Sequence, residues 1–309
     1  MKYVAELVLD AGCRPGAFSA RRLARIARRI EDAGYDAIAV NDHLAPSRKW
    51  YEAGGHDAYE PFGLMAYLAA VTERVRLMTF AVVVPHRNPF ALAKSVATTD
   101  ALSDGRLDLG VAVGYLRSEF LALGADFDER NELFDEALAV LRGAWTAGSV
   151  SARGRHFDGL DQVLAPAPVQ LPHPPLWIAG NSARARRRAA AWGQGWAPLS
   201  IDDLGARTIR SVSIPTVDDL RRAARTLRAD TVVAGRDPAE VGLWATTSDS
   251  SAAGRDELDH RAHLDHLVEL ADLGASHFTA TFHLDDTDGA ERAVDGYAEH
   301  VLAAAGLPR

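Results

Sequence analysis

Cysteine is almost missing, with Cys13 the single one among 309 residues. One thiol excludes an internal disulfide and any metal site built on several cysteines. Long apolar runs are missing too, and none approaches the ~18 residues that a membrane-spanning helix needs. Positive charge is not in surplus. The formal net charge of −8 argues against non-specific attraction to nucleic acid or anionic membranes. MKYVAELVLD at the N-terminus reads as a strand carrying Glu6, without a signal peptide's apolar stretch and cleavage site, so the cytoplasm is the expected compartment. A dinucleotide fingerprint is also lacking, because VLDAGCRPGA after the first strand has the wrong glycine spacing. No linker divides the chain, and residues 1–309 read as one domain.

What is present is a repeated alternation of strand and helix in a chain 48% hydrophobic and 25% charged. Ser19 caps a helix in which Leu23, Ile26, Ala27, Ile30 and Ala33 recur at helical spacing. Gly34 ends it, and a strand follows within two residues. EDAGYDAIAV, AAAWGQGWAPL and LADLGASHFTATF repeat that grammar: a helix end, a glycine, a strand. Strands are expected near 3–9, 36–40, 76–84, 107–113, 175–179, 195–199, 241–246 and 277–283. Helices are expected near 19–33, 60–72, 89–102, 130–146, 182–192, 217–229, 256–273 and 289–305. About eight such units in ~300 residues predict an α/β fold, a single (β/α)8 TIM-type barrel with insertion loops on its carboxyl-end face.

In such a barrel, polar residues just past each strand are where ligands bind. DAIAVNDH, residues 36–43, ends abruptly in Asn41, Asp42 and His43, and a histidine beside an aspartate offers a proton acceptor near neutrality. The bland alternative is a polar loop with Asp42 capping the next turn. The other strand ends offer Asp10 and Gly12; Pro85, His86 and Arg87; Gly114 and Tyr115; Gly180, Asn181 and Ser182; Ser200; Thr246 and Thr247; and His283. These mix small and hydrogen-bonding residues with few carboxylates, which suits a flat, neutral, polar-edged ligand better than a metal. Gly180-Asn181-Ser182 has the form of an anion site at a helix N-terminus, with an ordinary N-cap of equal weight. Asn88-Pro89 reads as a cap followed by proline at the first helical position. Residues 44–59 are expected beside His43 as a lid carrying Trp50 and Tyr51. The proline-rich 147–174 is expected to wrap the outside, and 200–216 to join the ligand face. His260, His263 and His266 are spaced by threes, but the interleaved charges favour a solvated helix face over zinc. Arg184, Arg186, Arg187 and Arg188 likewise read as a wet helix surface, with Arg184 near enough to the anion site to touch a ligand.

NPFALAKSVATTDALSDGRLDLGVAVGYLRSEFLALGADFDERNELFDEALAVLRGAW, residues 88–145, resembles the signature region of the bacterial luciferase-like family, flavin- or deazaflavin-dependent oxidoreductases on a TIM-type barrel. PPLWIAGNSARARRRAAAWGQGWAPL and GRDPAEVGLW resemble that family's fifth to seventh strands, and the likeness runs over 3–300. It implies a homodimer acting on a small-molecule substrate. In the branch that uses coenzyme F420 the second strand typically ends in Asp-His, as at Asp42-His43, so F420 is the expected cofactor and FMN the alternative. By the same resemblance, Thr79, Phe80, Ala81 and Val82 match a bulge that backs the cofactor ring, sometimes through a non-proline cis peptide. Val113, Gly114 and Tyr115 match the segment beside the ring, and Gly180, Asn181 and Ser182 the phosphate-side contacts. Two departures stand out. Ala112 replaces the middle glycine of the family's Gly-x-Gly-x-Gly, and Tyr115 stands where the sugar-phosphate dehydrogenase branch has a glutamate, which weakens a sugar-phosphate assignment. The expected catalytic group is His43, oriented by Asp42 or a backbone partner, with Tyr115 as second donor. An FMN-dependent monooxygenase and a non-catalytic flavin-binding protein are the alternative readings, and no metal is expected.

Overall fold

Strand β1 (Lys2–Asp10) pairs in parallel with β2 (Ala37–Val40) on one side and with the last strand, β12 (Ala275–Leu284), on the other, and that second pairing closes the sheet. The computed structural model describes residues 1–10, 19–254, 258–284 and 289–304, so Gly12 and Cys13 lie outside the described residues. Between β2 and β12 come β3 (His56–Asp57), β4 (Arg76–Thr79), β5 (Val82–Val83), β6 (Leu107–Ala112), β7 (Val150–Arg153), β8 (Asp158–Gln162), β9 (Leu176–Ala179), β10 (Gly195–Ala197) and β11 (Gly242–Ala245). The sheet runs β12-β11-β10-β9-β6-β4-β2-β1 and returns to β12, with β5 continuing the β4 position against β6. This is the closed eight-stranded parallel barrel expected from the sequence.

Among the described residues eight helices pack outside it: α1 (Ala20–Asp32), α3 (Pro61–Val71), α4 (Pro89–Leu102), α6 (Arg130–Thr146), α7 (Ala183–Trp192), α9 (Val217–Val233), α11 (His260–Asp272) and α12 (Gly289–Tyr297). Four short ones lie in loops: α2 (Arg48–Glu52), α5 (Arg117–Ala122), α8 (Asp203–Thr208) and α10 (Ser248–Ala252). Local chemistry starts them. Ser19 Oγ accepts the Arg22 amide, Glu60 precedes Pro61 and accepts the Gly63 amide, and Asn88 precedes Pro89 and accepts the Phe90 amide. The last helix is shorter than expected: α12 stops at Tyr297 and a π-helical turn, Ala298–Leu302, follows. Among the described residues no helix is long and apolar enough to cross a membrane.

Side chains alternate between two cores, as period-two strands require. Tyr3, Ala5, Leu7 and Leu9 of β1 face the helices in the large outer core. Val4 faces inward with Ala37, Ala39, Met78, Trp177, Ala197 and Trp244, which plug the barrel. At the amino end, Arg76 grips Asp108 bidentately at 2.6 and 2.7 Å and reaches Gln170 at 3.1 Å. The Gln170 amide donates to Asp100 at 2.7 Å, and Asp100 also takes the Val169 and Gln170 amides. Arg106 holds the carbonyls of Ala69, Thr72 and Val75. So the 147–174 segment, expected to wrap the outside, is stitched beneath the barrel, and it contains the antiparallel hairpin β7–β8 that the sequence reading lacked.

Candidate functional site

Four buried residues, AIAV, make β2, and its carboxyl end delivers Asn41, Asp42 and His43 to the mouth of the barrel. Asp42 does not orient His43, and that expectation is corrected. Its carboxylate, 3% exposed, accepts the Val83 amide at 2.8 Å and two Arg87 N–H groups at 2.6 and 2.9 Å. Burial works to lower the Arg87 pKa, and Asp42 outweighs it and holds the guanidinium above its ordinary value. The pair fastens the end of β2 to the strand beside it.

That neighbouring strand breaks at Thr79–Val82. Phe80 donates its amide to Val40, the Phe80–Ala81 peptide is cis, and pairing resumes at Val82 against Val111. Thr79 is fully buried and donates its hydroxyl to the Gly110 carbonyl at 2.8 Å. Only glycine fits opposite: a Cβ on Gly110 would lie 2.0 Å from the Thr79 carbonyl oxygen. Phe80 turns inward, its ring 4.4 Å from that of Trp244. Gly114, at φ +80°, turns the chain where a Cβ would meet Val83 and Phe120, and leaves Val113 half-buried and Tyr115 aimed at the mouth.

The partner of His43 is Glu119 on α5, which the sequence reading missed. Glu119 is 2% exposed, and its Oε2 lies 3.2 Å from His43 Nδ1 while Oε1 accepts the Ala45 amide at 3.1 Å. Burial pushes this carboxyl up, but the His43 and Ala45 bonds outweigh it, and its pKa is lowered. An ionised carboxylate only accepts, so His43 Nδ1 meets it as the donor and Nε2 is left for another partner. Tyr115 stands edge-on to His43 at 6.0 Å; burial and the nearby Glu119 push its phenol up to about 12, so it stays a donor.

Residues 44–59 roof the site, as expected. Ser47 caps α2, which sets the Trp50 ring 4.5 Å from His43, and His56 adds a third ring 4.9 Å from His43. Strand β3 pairs antiparallel with the end of β1, Leu9 with Asp57 and Asp10 with His56, while Tyr51 donates to Asp57. Gly55 allows the Trp50 ring to lie against the backbone, since a Cβ there would come within 2.4 Å of it. Burial keeps the His56 pKa low.

Gly180, Asn181 and Ser182 follow the end of β9, three strands round the barrel from β2. Both ends of the Asn181 amide are spent on the chain after β10: Nδ2 donates to the Leu199 and Val212 carbonyls, and Oδ1 accepts the Leu199 amide. Ser182 caps α7 by accepting the Ala185 amide, so what faces outward is the backbone of the first turn and Gly180 at φ +111°. Two surface readings are corrected. Arg188 is 5% exposed, bound to Asp135 and laid over Phe134, while Arg184 is bound to Glu132 and Asp135 rather than turned to an anion. His263 is buried between Asp249 and Tyr297, whereas His266 meets Thr247 and His260 stacks on His300. Among the described residues no group of three or more side chains is placed to hold a metal.

The arrangement is a ring-walled mouth over a plugged barrel, with His43 held by Glu119 and flanked by the rings of Trp50 and His56. A family model described as luciferase-like monooxygenase matches residues 2–307. The chain is 31% identical over 185 residues to the F420-dependent glucose-6-phosphate dehydrogenase of Amycolatopsis mediterranei (strain U-32), covering 58% of this chain and 53% of that protein. It is 31% identical over 173 residues to the FMNH(2)-dependent dimethylsulfone monooxygenase of Pseudomonas putida, covering 55% of this chain and 45% of that protein. The chain thus spans about half the length of these two curated relatives. In fold it is similar to the crystal structure of monooxygenase RslO1 from Streptomyces bottropensis, with a TM-score of 0.74 at 22% identity over 98% of this chain and 99% of that one.

Proposed function

This chain belongs to the luciferase-like monooxygenase family, and from that membership we propose that it is an oxidoreductase that moves hydride between coenzyme F420 and a small organic substrate. The observation that carries the reading is the His43–Glu119 pair, with the Trp50 and Tyr115 rings 4.5 and 6.0 Å from that of His43. A bound deazaflavin would supply hydride at the ring carbon that stands in place of flavin's N5. The protein's own share is to hold the substrate, exclude water and manage one proton. His43 accepts or gives that proton at Nε2, Glu119 fixes the tautomer, and Tyr115 keeps its O–H as a second donor. The bulge at Thr79–Val82 and the segment Val113–Gly114 would hold the ring, and the α7 N-terminus with Gly180 would take the phosphate side through backbone N–H groups. Asp42 serves by fixing the bulge through Val83 and Arg87.

The second reading is an FMN-dependent monooxygenase, favoured by the likeness to the dimethylsulfone enzyme at the same identity as the F420 relative. Asp42-His43 at the end of β2 weighs for F420. Titrating the apo-protein with each cofactor, followed by quenching of its six tryptophans, compares them directly. Tighter binding of F420, with turnover that consumes no oxygen, is the expected result. Tighter FMN binding with oxygen consumption moves the protein to the monooxygenase reading. The same reading carries a homodimer and a cytoplasmic home, and light scattering at micromolar concentration decides the assembly.

A further inference from the structure

Besides His43, the upper barrel holds a buried acid on β1, Glu6. Val4 of β1 belongs to the inner plug, whereas Tyr3, Ala5 and Leu7 face the helices, so strand alternation points Glu6 inward, one layer nearer the mouth. Glu6 pairs in register with Ala39 of β2 and Thr281 of β12, and it is 9% exposed. Its Oε2 accepts the Thr281 hydroxyl at 2.9 Å. His283, two residues on along β12, is the titratable group that reaches it; Ala39, beside it on β2, carries no charge. A carboxylate in such a place is costly unless it is neutralised or matched by a cation. A structural purpose would be met by any acceptor for Thr281. Glutamate keeps something glutamine would not: a proton that can come and go.

We propose that Glu6 is held as a neutral carboxylic acid and donates its proton as a hydrogen bond to an acceptor atom, a carbonyl oxygen or a ring nitrogen, of the ligand that fills the mouth. Ala39, a single methyl, is the neighbour of Glu6 on β2, and Val8 follows Glu6 on the same face of β1, which sets the carboxyl one layer beneath the mouth. Burial supports the protonation state by pushing the carboxyl up to about 7, against the Thr281 bond and the His283 charge, which both act to lower it. The ligand is therefore held more firmly on the acid side of neutrality and less firmly once Glu6 ionises, because a carboxylate meeting an acceptor repels it. This inference deepens the oxidoreductase reading and rests on it.

Two measurements test it. Infrared difference spectra between the apo-protein and its Glu6→Gln variant, taken across neutrality, should show a protonated carboxyl that disappears with a midpoint near 7. A carboxylate band at every pH overturns the proposal. In parallel, F420 and FMN are titrated into both proteins on either side of neutrality. The parent should lose about 3- to 10-fold in affinity for its preferred cofactor as Glu6 ionises, the worth of one hydrogen bond. Glu6→Gln retains an N–H donor, so its affinity should stay flat with pH relative to the parent, and parallel pH profiles overturn the proposal. Binding of neither cofactor by the parent would sink the oxidoreductase reading itself, while the infrared result still decides the state of Glu6. Should Glu6→Gln fail to fold, Thr281→Val serves instead. Losing the hydroxyl donor must move the infrared midpoint to higher pH, and an unmoved midpoint counts against a buried acid.

Discussion

Replacing Glu119 by glutamine preserves its size and its bond to the Ala45 amide but removes the charge that keeps the proton on His43 Nδ1. A neutral amide can meet that nitrogen with its own N–H, and the imidazole is then free to settle in the wrong tautomer. His43→Ala should reduce turnover about 100- to 10,000-fold. Glu119→Gln should give a smaller loss in the same parameter, and both should bind cofactor within a few-fold of the parent. Steady-state kinetics beside a binding titration checks this, and full activity in Glu119→Gln would show that the pair is structural. The sequence made His43 legible because a strand of four apolar residues ends in a run of polar ones. It hid Glu119 because α5 has six residues, too few for a periodicity that would mark an inward carboxylate.

At the scale of elements, the β4–β5 bulge and β6 are held at a separation that tolerates no side chain. Gly110→Ala would force its methyl against the Thr79 carbonyl, a backbone atom that cannot swing aside. Overpacking of this kind typically costs about 1–3 kcal/mol. The expected outcome is a lower melting temperature together with weakened cofactor binding, since the displaced strand is the wall of the mouth. Gly124→Ala, where a Cβ meets nothing but φ is +72°, supplies a control for strain without crowding. Normal binding in Gly110→Ala would detach the bulge from the cofactor. Strand and helix ranges were readable because glycine marks most helix-to-strand turns and the apolar spacing switches there. The hairpin β7–β8 was not, since most of its side chains are exposed and its strands are only four and five residues long. Asn181 shows a third limit. An amide that could serve an anion or a loop looks the same in sequence, and long-range partners at Leu199 and Val212 decided it.

For the whole molecule, stability should carry the mark of Glu6. Its folded pKa is raised from 4.5 to about 7, so between those values the folded chain holds a proton that the unfolded chain has released. Stability from this group is therefore full below 4.5, falls as pH rises toward about 7, and stays at its reduced level above. Glu6→Gln removes that penalty. It should be more stable than the parent on the alkaline side by up to about 3 kcal/mol, with the gap closing in acid. Urea denaturation of both proteins across the range measures it, and a gap that does not vary with pH would contradict the raised value. The amino end is built on other terms: Arg76, Asp108, Gln170, Asp100 and Arg106 tie strands, helices and the 147–174 segment together away from the mouth. Changes at sites that share no partners combine almost independently. A lineage can thus trade one cofactor or substrate for another at the rim and still inherit a foundation it never has to reinvent.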